Sequence, residues 1–453
     1  MNANLEILAK ALGGELINAE QTLTVTGVSI DSRKIEPGLL FFALKGEHSD
    51  GHEYVDNALA AGAVAAVVAR ITGEGPQILV PDPLQALQKL AAFHRSQFNI
   101  PVIAVTGSVG KTTTKDLLAQ CLEGTFHTLK TSGNYNNEIG MPLTLLQLEP
   151  SHQACVVEMG MSSLGEIELL SAIARPTACI VVNVGPVHLE NLGSIKNIAQ
   201  AKCEVLKYTT EFAVLHGDSP ELCDHAVFTN GPIYWFGEGL DCEWRVLDTR
   251  IDTSGTIINM KIGDISLEVN LPLPASHLAP NAVAAAGTAI KLGVEPKALA
   301  ERLREFKLSS RRLNILPGRA GSVIIDDCYN ANPQSMSAAL RVLTDMSAKG
   351  RKIAVLGDMF ELGDFEAEGH KIVGVAAANN KIDVLVTVGQ KASLIAEGAR
   401  SAGFTGKLHS FDEKSKALHE VLTMLQNGDV VLIKASRGMH MEELVEGLQE
   451  EVH

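Results

Sequence analysis

The sequence predicts an α/β protein of three domains, and three observations carry that prediction. Apolar, β-branched runs that stop at glycine or a polar residue recur along the chain, helix-like stretches alternate with them, and the rhythm breaks and restarts twice. At 453 residues the chain is too long for one ordinary core. Hydrophobic residues make up 46% and charged ones 20%, which is globular composition and not disorder.

The first domain is expected over residues 1–82. Short strand-like pieces, V-T-G-V-S-I, L-L-F-F-A-L and A-V-A-A-V-V-A, are separated by turn signals and close at Pro81-Asp82-Pro83, which describes a small α/β module. The second, over 83–313, opens on a helix-like stretch, L-Q-A-L-Q-K-L-A-A-F-H-R-S-Q-F, and passes through Pro101 into the strand-like run V-I-A-V-T. Its later strands are A-C-V-V-E-M, ending at Glu158, and A-C-I-V-V-N-V, ending near Gly185. Such continuous apolar runs fit a mostly parallel sheet with helices on both faces. Between about residues 243 and 271 apolar positions alternate around Gly263-Asp264, which predicts an antiparallel hairpin inserted beside that sheet. Over 314–453 the runs S-V-I-I-D-D, K-I-A-V-L-G-D, D-V-L-V-T-V-G and D-V-V-L-I-K-A-S predict a C-terminal, Rossmann-like doubly wound domain. Ligand-contacting residues in such sheets sit just past the strand carboxyl ends, where Asp326, Asp327, Asp358 and Lys434 fall.

Composition narrows the partners. A net charge of −15 argues against non-specific binding of nucleic acid or anionic membrane, so an anionic substrate must meet local basic residues. The first residues lack a basic stretch followed by an apolar one, so no secretory signal is expected. No apolar run approaches the roughly 18 residues that span a bilayer. The seven cysteines are scattered, odd in number and without C-x-x-C, which indicates neither a disulfide framework nor a zinc site. A cytoplasmic monomer is the expectation.

Residues 102–114, V-I-A-V-T-G-S-V-G-K-T-T-T, read as a strand, a glycine turn and a helix start. Gly107 and Gly110 let the backbone N–H groups of Gly107, Ser108, Val109 and Gly110 close around phosphate oxygens. Lys111 adds a point charge, the helix start at Thr112 and Thr113 points its positive end at the same anion, and the Thr112 hydroxyl is placed to hold Mg²⁺. This is a P-loop of shortened form, since Val105 stands where the eight-residue pattern has its first glycine.

Other candidates follow from position. Glu158, at the end of a neighbouring strand, is placed as a Mg²⁺ ligand, against the alternative of a solvated carboxylate. His188, in N-V-G-P-V-H-L-E, is by itself more often a loop or packing histidine, and Lys202, on a helical pattern, reads in isolation as a surface lysine. Asn136, Asn137 and Glu138 offer groups for phosphate or sugar oxygens, or equally an Asx-rich turn before a helix at Pro142. Asn281, in H-L-A-P-N, is open between a ligand contact and, without ligand, a helix cap or a buried polar contact. The bunched polar residues of D-D-C-Y-N-A-N-P, Asp326 to Pro333, exceed what a structural turn needs. Lys434, in K-A-S-R-G, adds a cation at another strand end.

Taken in order, T-G-S-V-G-K-T-T-T, N-Y-N-N-E, V-E-M-G-M, N-V-G-P-V-H-L-E, A-K-C-E, H-L-A-P-N, R-R-L, D-D-C-Y-N-A-N-P and K-A-S-R-G-M-H-M-E resemble the Mur ligase family across essentially the whole chain. The D-D-x-Y-N-A-N-P form and the N-terminal D-S-R-K-I-E-P-G-L-L-F-F-A-L-K-G-E-H-S-D-G-H-E-Y resemble the member that adds D-alanyl-D-alanine to UDP-N-acetylmuramoyl-tripeptide. The diaminopimelate- or lysine-adding relative typically has arginine after the corresponding proline, whereas Gln334 follows Pro333 here.

The resemblance implies ATP and Mg²⁺, expected as two ions. It implies Thr112, Glu158 and His188 as metal ligands and Lys202 as a carbamylated lysine. Asn281 would lie by the adenine or ribose, and Arg312 and Asp327 would reach the nucleotide. Lys111, His188, Lys202, Arg312 and Asp327 form the implied catalytic set. Ser32 and Arg33 would hold the UDP end, and Asn137, Asn330, Asn332 and Lys434 would contact substrate. Arg311 stands where the family often has glycine. Two small-molecule substrates, with no nucleic acid and no membrane insertion, complete the expectation.

The implied reaction is two-step: a substrate carboxylate attacks the γ-phosphate, giving an acyl phosphate, and an amine then displaces phosphate. The runner-up is another amide ligase on this scaffold, a different Mur member or a folylpolyglutamate synthase. A P-loop switch ATPase is the alternative from a different class.

Overall fold

The computed structural model describes residues 3–187, 189–228, 230–252, 255–308 and 311–450. Among them the strands fall into sheets of five, nine and six, met in that order along the chain, plus a two-stranded ribbon pairing Ala3–Asn4 with Thr24–Val25. The architecture is the α/β arrangement that the alternation of apolar runs and helical stretches predicts.

The five-stranded sheet runs Glu15–Ile17, Gln77–Leu79, Ala65–Val68, Leu39–Phe42, Gly27–Ser29, and only its first pair is antiparallel. Helix Pro83–Arg95 follows, started by Asp82, whose carboxylate accepts from the Leu84 and Gln85 amides, with proline at its first turn. Its buried face, Ala86, Leu87, Leu90 and Ala91, joins a core that includes Leu40 and Phe42 of this sheet and Ala104 and Val157 of the next. That shared core ties the two sheets together.

In the nine-stranded sheet Val102–Thr106 lies between Ala154–Glu158 and Ala178–Val181, all parallel and buried along their whole length. After Val102–Thr106 the chain builds Thr128–Lys130 and Ala154–Glu158 on one side, then crosses to Ala178–Val181 on the other. The strand order therefore reverses at Val102–Thr106, the place at whose carboxyl end ligands bind in such sheets. One sequence expectation is corrected here. The antiparallel hairpin about Gly263-Asp264 is present, Gly255–Ile262 with Ile265–Leu271, but it is not set beside the sheet: with Trp244–Asp252 it forms three strands that extend the sheet itself. Trp244–Asp252 pairs in parallel with Ile233–Gly237, so the antiparallel strands continue the main ladder. The turn at Gly263 is as expected, with φ +59°.

The six-stranded sheet runs Asn314–Gly318, Ser322–Asp326, Val430–Lys434, Lys352–Gly357, Val384–Val388, Lys407–Phe411, with only the first strand antiparallel. The adjacency of Ser322–Asp326 and Val430–Lys434 brings D-D-C-Y-N-A-N-P and K-A-S-R-G together at one sheet end. Among the described residues no helix is long and apolar enough to cross a membrane.

Candidate active site

The phosphate loop is shaped by glycine where side chains do not fit. Gly110 caps helix Lys111–Leu122 at φ +84°, and a methyl there would come 2.7 Å from Asn281 Nδ2; a methyl on Gly107 would come 2.9 Å from Val182 Cβ. Lys111 Nζ donates to Gly107 O at 2.8 Å, so the ammonium lies over the loop it serves.

The loop is clamped from the neighbouring strand's exit. Asn183 accepts from Val109 N and donates to Val109 O, both at 2.9 Å, while Ser108 Oγ donates to Gly185 O at 3.1 Å and accepts from Gly185 N at 2.9 Å. Asn183 escapes the sequence reading, although its place just past Ala178–Val181 is the same strand-end signal that marks Glu158. Asn281 Nδ2 donates to Thr114 Oγ1 at 2.7 Å, which is the buried polar contact among the readings left open for it.

Glu158 is buried at its strand end. Its backbone N–H donates to Thr131 Oγ1 at 2.9 Å, and Asn136 Nδ2 donates to its Oε1 at 2.8 Å. Behind it, buried Lys115 donates to Thr131 O at 2.8 Å. The second carboxylate oxygen, Oε2, is buried with no hydrogen-bond partner among the described residues. An orphaned anionic oxygen is what a hard cation takes, so the residues present fit Mg²⁺. Of the N-N-E cluster it is Asn136 that touches Glu158. Asn137 makes the Asx turn, its Oδ1 accepting from Gly140 N at 2.9 Å.

Lys202 is 2% exposed, not the surface lysine that its sequence context alone describes, because its helix, Ile195–Cys203, turns this face inward. Burial pulls its ammonium well below the ordinary lysine range, and the nearby Lys111 charge pulls the same way. Burial, with Arg312 adding and Glu158 opposing, also lowers Lys111. His188, the remaining expected ligand, lies outside the described residues.

The six-stranded sheet faces this loop. Arg312 stacks on the Tyr329 ring at 4.3 Å and is close enough to Lys111 to influence its charge. Arg311 adopts φ +60°, a left-handed conformation that favours glycine, and is held by Glu442 at 2.7 Å. Asp327 pairs with Lys434 at 2.7 Å and accepts from Leu313 N at 3.2 Å. Lys434 also donates to Asn330 O at 2.9 Å, so it braces D-D-C-Y-N-A-N-P. Asn332 caps helix Pro333–Asp345 through Ser335 in a reciprocal capping box.

One cavity of about 1150 Å³ unites Ser108 to Thr113, Asn137, Glu158, Asn281, Arg312, Asp327, Asn330, Asn332 and Lys434. Gly107 contributes its carbonyl to Lys111 just behind the lining. Ser32 and Arg33 are not brought to this cleft. They occupy a turn of the first sheet's layer, where Arg33 is exposed and pairs with Asp31 at 2.9 Å, holding that carboxyl down at a pKa of about 2.

A clamped phosphate loop on one sheet, faced by cationic and polar strand ends of a second, defines a P-loop nucleotide-binding protein with a second lobe facing its loop. The chain belongs to the Mur ligase family: residues 24–95 match the Mur ligase family catalytic domain, 105–289 the Mur ligase middle domain, and 311–437 the Mur ligase glutamate ligase domain. The UDP-N-acetylmuramoyl-tripeptide–D-alanyl-D-alanine ligase of Bacillus subtilis (strain 168) is 39% identical over 450 residues, 98% of this chain and 97% of that one. A crystal structure of MurF from Acinetobacter baumannii superposes with a TM-score of 0.91 at 34% identity, covering 100% of this chain and 99% of the other. The MurF ligase of Thermotoga maritima in complex with ADP gives 0.83 at 30% identity, covering 93% and 97%.

Proposed function

We propose that this chain is an ATP-dependent carbon–nitrogen ligase that joins D-alanyl-D-alanine to UDP-N-acetylmuramoyl-tripeptide, a step in making peptidoglycan precursor. The observation that carries the reading is the convergence of Lys111, Arg312 and Glu158 on one cleft between two lobes, in a chain similar end to end to ligases of that name.

In the first step an oxygen of the tripeptide's terminal carboxylate bonds to the γ-phosphorus and the bond to ADP breaks. In the second the acceptor nitrogen bonds to the acyl carbon, the carbon–oxygen bond to phosphate breaks, and the nitrogen gives up its proton. Carboxylate, triphosphate and transferred phosphoryl are all anionic, so the barrier falls only where positive charge is fixed in advance. Lys111 holds that charge from the loop and Arg312 from the hinge just before the strand Asn314–Gly318 of the facing lobe. Asn183 and Ser108 keep the loop amides in place, which avoids reorganisation during reaction.

Thr112 and Glu158 would hold Mg²⁺, with His188 and Lys202 completing two sites; the bound metal supplies further charge at the phosphates. A buried lysine pulled toward its neutral form is suited to take up CO₂, and we assign Lys202 as carbamylated, giving anionic oxygens where an ammonium would repel metal. The proposed division is 1–82 for the UDP end, with Ser32 and Arg33, 83–313 for ATP, and 314–453 for closure over the acyl phosphate, which water would otherwise hydrolyse. A cytoplasmic monomer remains the proposed working form. Phosphate release from ATP and Mg²⁺, with each co-substrate omitted in turn, tests the function: strict dependence on both is expected, and release without either would replace a ligase with an ATPase.

A further inference from the structure

The cleft contains a cation that the phosphate loop, the Arg312–Tyr329 stack and the Asp327–Lys434 pair do not account for. Arg341 lines the cavity from helix Pro333–Asp345 and is exposed to it. Among the described residues its guanidinium makes no ion pair. Its charge is felt by His277 across the cleft and by Asp345 one turn along, yet neither is within ion-pair distance. The reaction proposed above leaves one anion unmatched, the free carboxylate of the acceptor dipeptide, and in a chain of net charge −15 that group must find a local cation.

Resting on that reading, we propose that Arg341 binds the carboxylate of D-alanyl-D-alanine and so fixes the acceptor's direction in the cleft. The helix supports the geometry. Arg341 is nine residues beyond the cap Asn332, about 13 Å along the axis, and side chains on a helix lean back toward its amino end. An extended dipeptide measures roughly 7 Å from end to end. With its carboxylate on Arg341, its ammonium lies toward the amino end of the helix, where Asn330 and Asn332 line the same cavity as the phosphate loop. Ala338, Phe365 and Ile372 line the same lobe of the cleft and offer apolar surface for two methyl groups. A planar guanidinium takes a carboxylate through two parallel hydrogen bonds, which sets orientation as well as affinity.

The test is steady-state kinetics on Arg341→Ala and Arg341→Lys with the dipeptide and with its C-terminal amide. For Arg341→Ala, KM for D-alanyl-D-alanine rises roughly ten- to a hundredfold with KM for ATP unchanged, and Arg341→Lys falls between. Wild type prefers the free acid over the amide, and Arg341→Ala loses that preference, because one substitution has already removed what the other removes. An unchanged preference in Arg341→Ala, or a rise confined to KM for ATP, overturns the assignment, the latter placing Arg341 at the nucleotide. If wild type does not use the dipeptide at all, it is the ligase reading that fails.

Discussion

Asn136 Nδ2 donates to Glu158 Oε1 at 2.8 Å, and the other oxygen of that carboxylate is left buried and unpartnered among the described residues. One oxygen is held so that the other is presented. Groups that orient a metal ligand from behind typically contribute 10–100-fold in metal affinity or activity. Asn136→Ala is therefore expected to raise the Mg²⁺ concentration for half-maximal phosphate release about tenfold, with the melting temperature little changed. An unaltered Mg²⁺ titration would confine Asn136 to shaping its own loop.

Lys202 is buried beside another lysine, an arrangement that a plain ammonium makes unfavourable and a carbamate makes useful. Lys202→Ala is expected to lose turnover and to regain part of it when a short carboxylate such as formate or acetate is added. Activity that is indifferent to both the substitution and the additive would make Lys202 structural.

The Asp327–Lys434 pair joins two strand ends at 2.7 Å in a largely buried setting. Removing one partner strands the other's charge away from water, a loss of about 3–5 kcal/mol. Urea unfolding of Lys434→Met should show a loss of that order, and Asp327→Asn combined with Lys434→Met should recover much of it. Equal loss in the single and double variants would show that Lys434 stabilises chiefly through its bonds to the Asn330 and Asp327 carbonyls.

His277 is held to a pKa of about 4 by burial first and by the Arg341 and Lys434 charges second. The unfolded chain takes up a proton near the ordinary value of 6.5 that the folded chain refuses until about pH 4. Unfolding therefore binds protons in that window, and stability falls as pH is lowered from about 6.5 to about 4. His277→Gln should flatten this part of a stability–pH curve. A curve with the same slope in wild type and variant would show that His277 protonates freely in the folded state.

The phosphate loop and the strand-end carboxylates were legible because they rest on local chemistry: a β-branched run, two glycines, and polar residues where a buried strand must end. Asn183 was harder to see, since an asparagine past a strand carries meaning only once Val102–Thr106 and Ala178–Val181 are known to be neighbours. Lys202 was misleading for the same reason: helix Ile195–Cys203 is amphipathic, and only packing decides that a lysine sits on the inward face. Asn137 and Asn136 carry the same chemistry one residue apart, and backbone direction alone gives one the turn and the other the carboxylate. The 243–271 strands alternate correctly as a hairpin, yet their union with the main sheet depends on the parallel pairing of Trp244–Asp252 with Ile233–Gly237, which no local pattern encodes.

The central claim is that Lys111, on the phosphate loop, and Arg312, at the hinge before Asn314–Gly318, bring a carboxylate and a γ-phosphate into bonding contact. Tripeptide substrate carrying ¹⁸O in its terminal carboxylate reports on this directly. One labelled oxygen per turnover should appear in the released phosphate, and Lys111→Ala should release none. Product formed at a normal rate with all label lost to water, or none in phosphate, would contradict the acyl-phosphate route and the charge arrangement inferred from it.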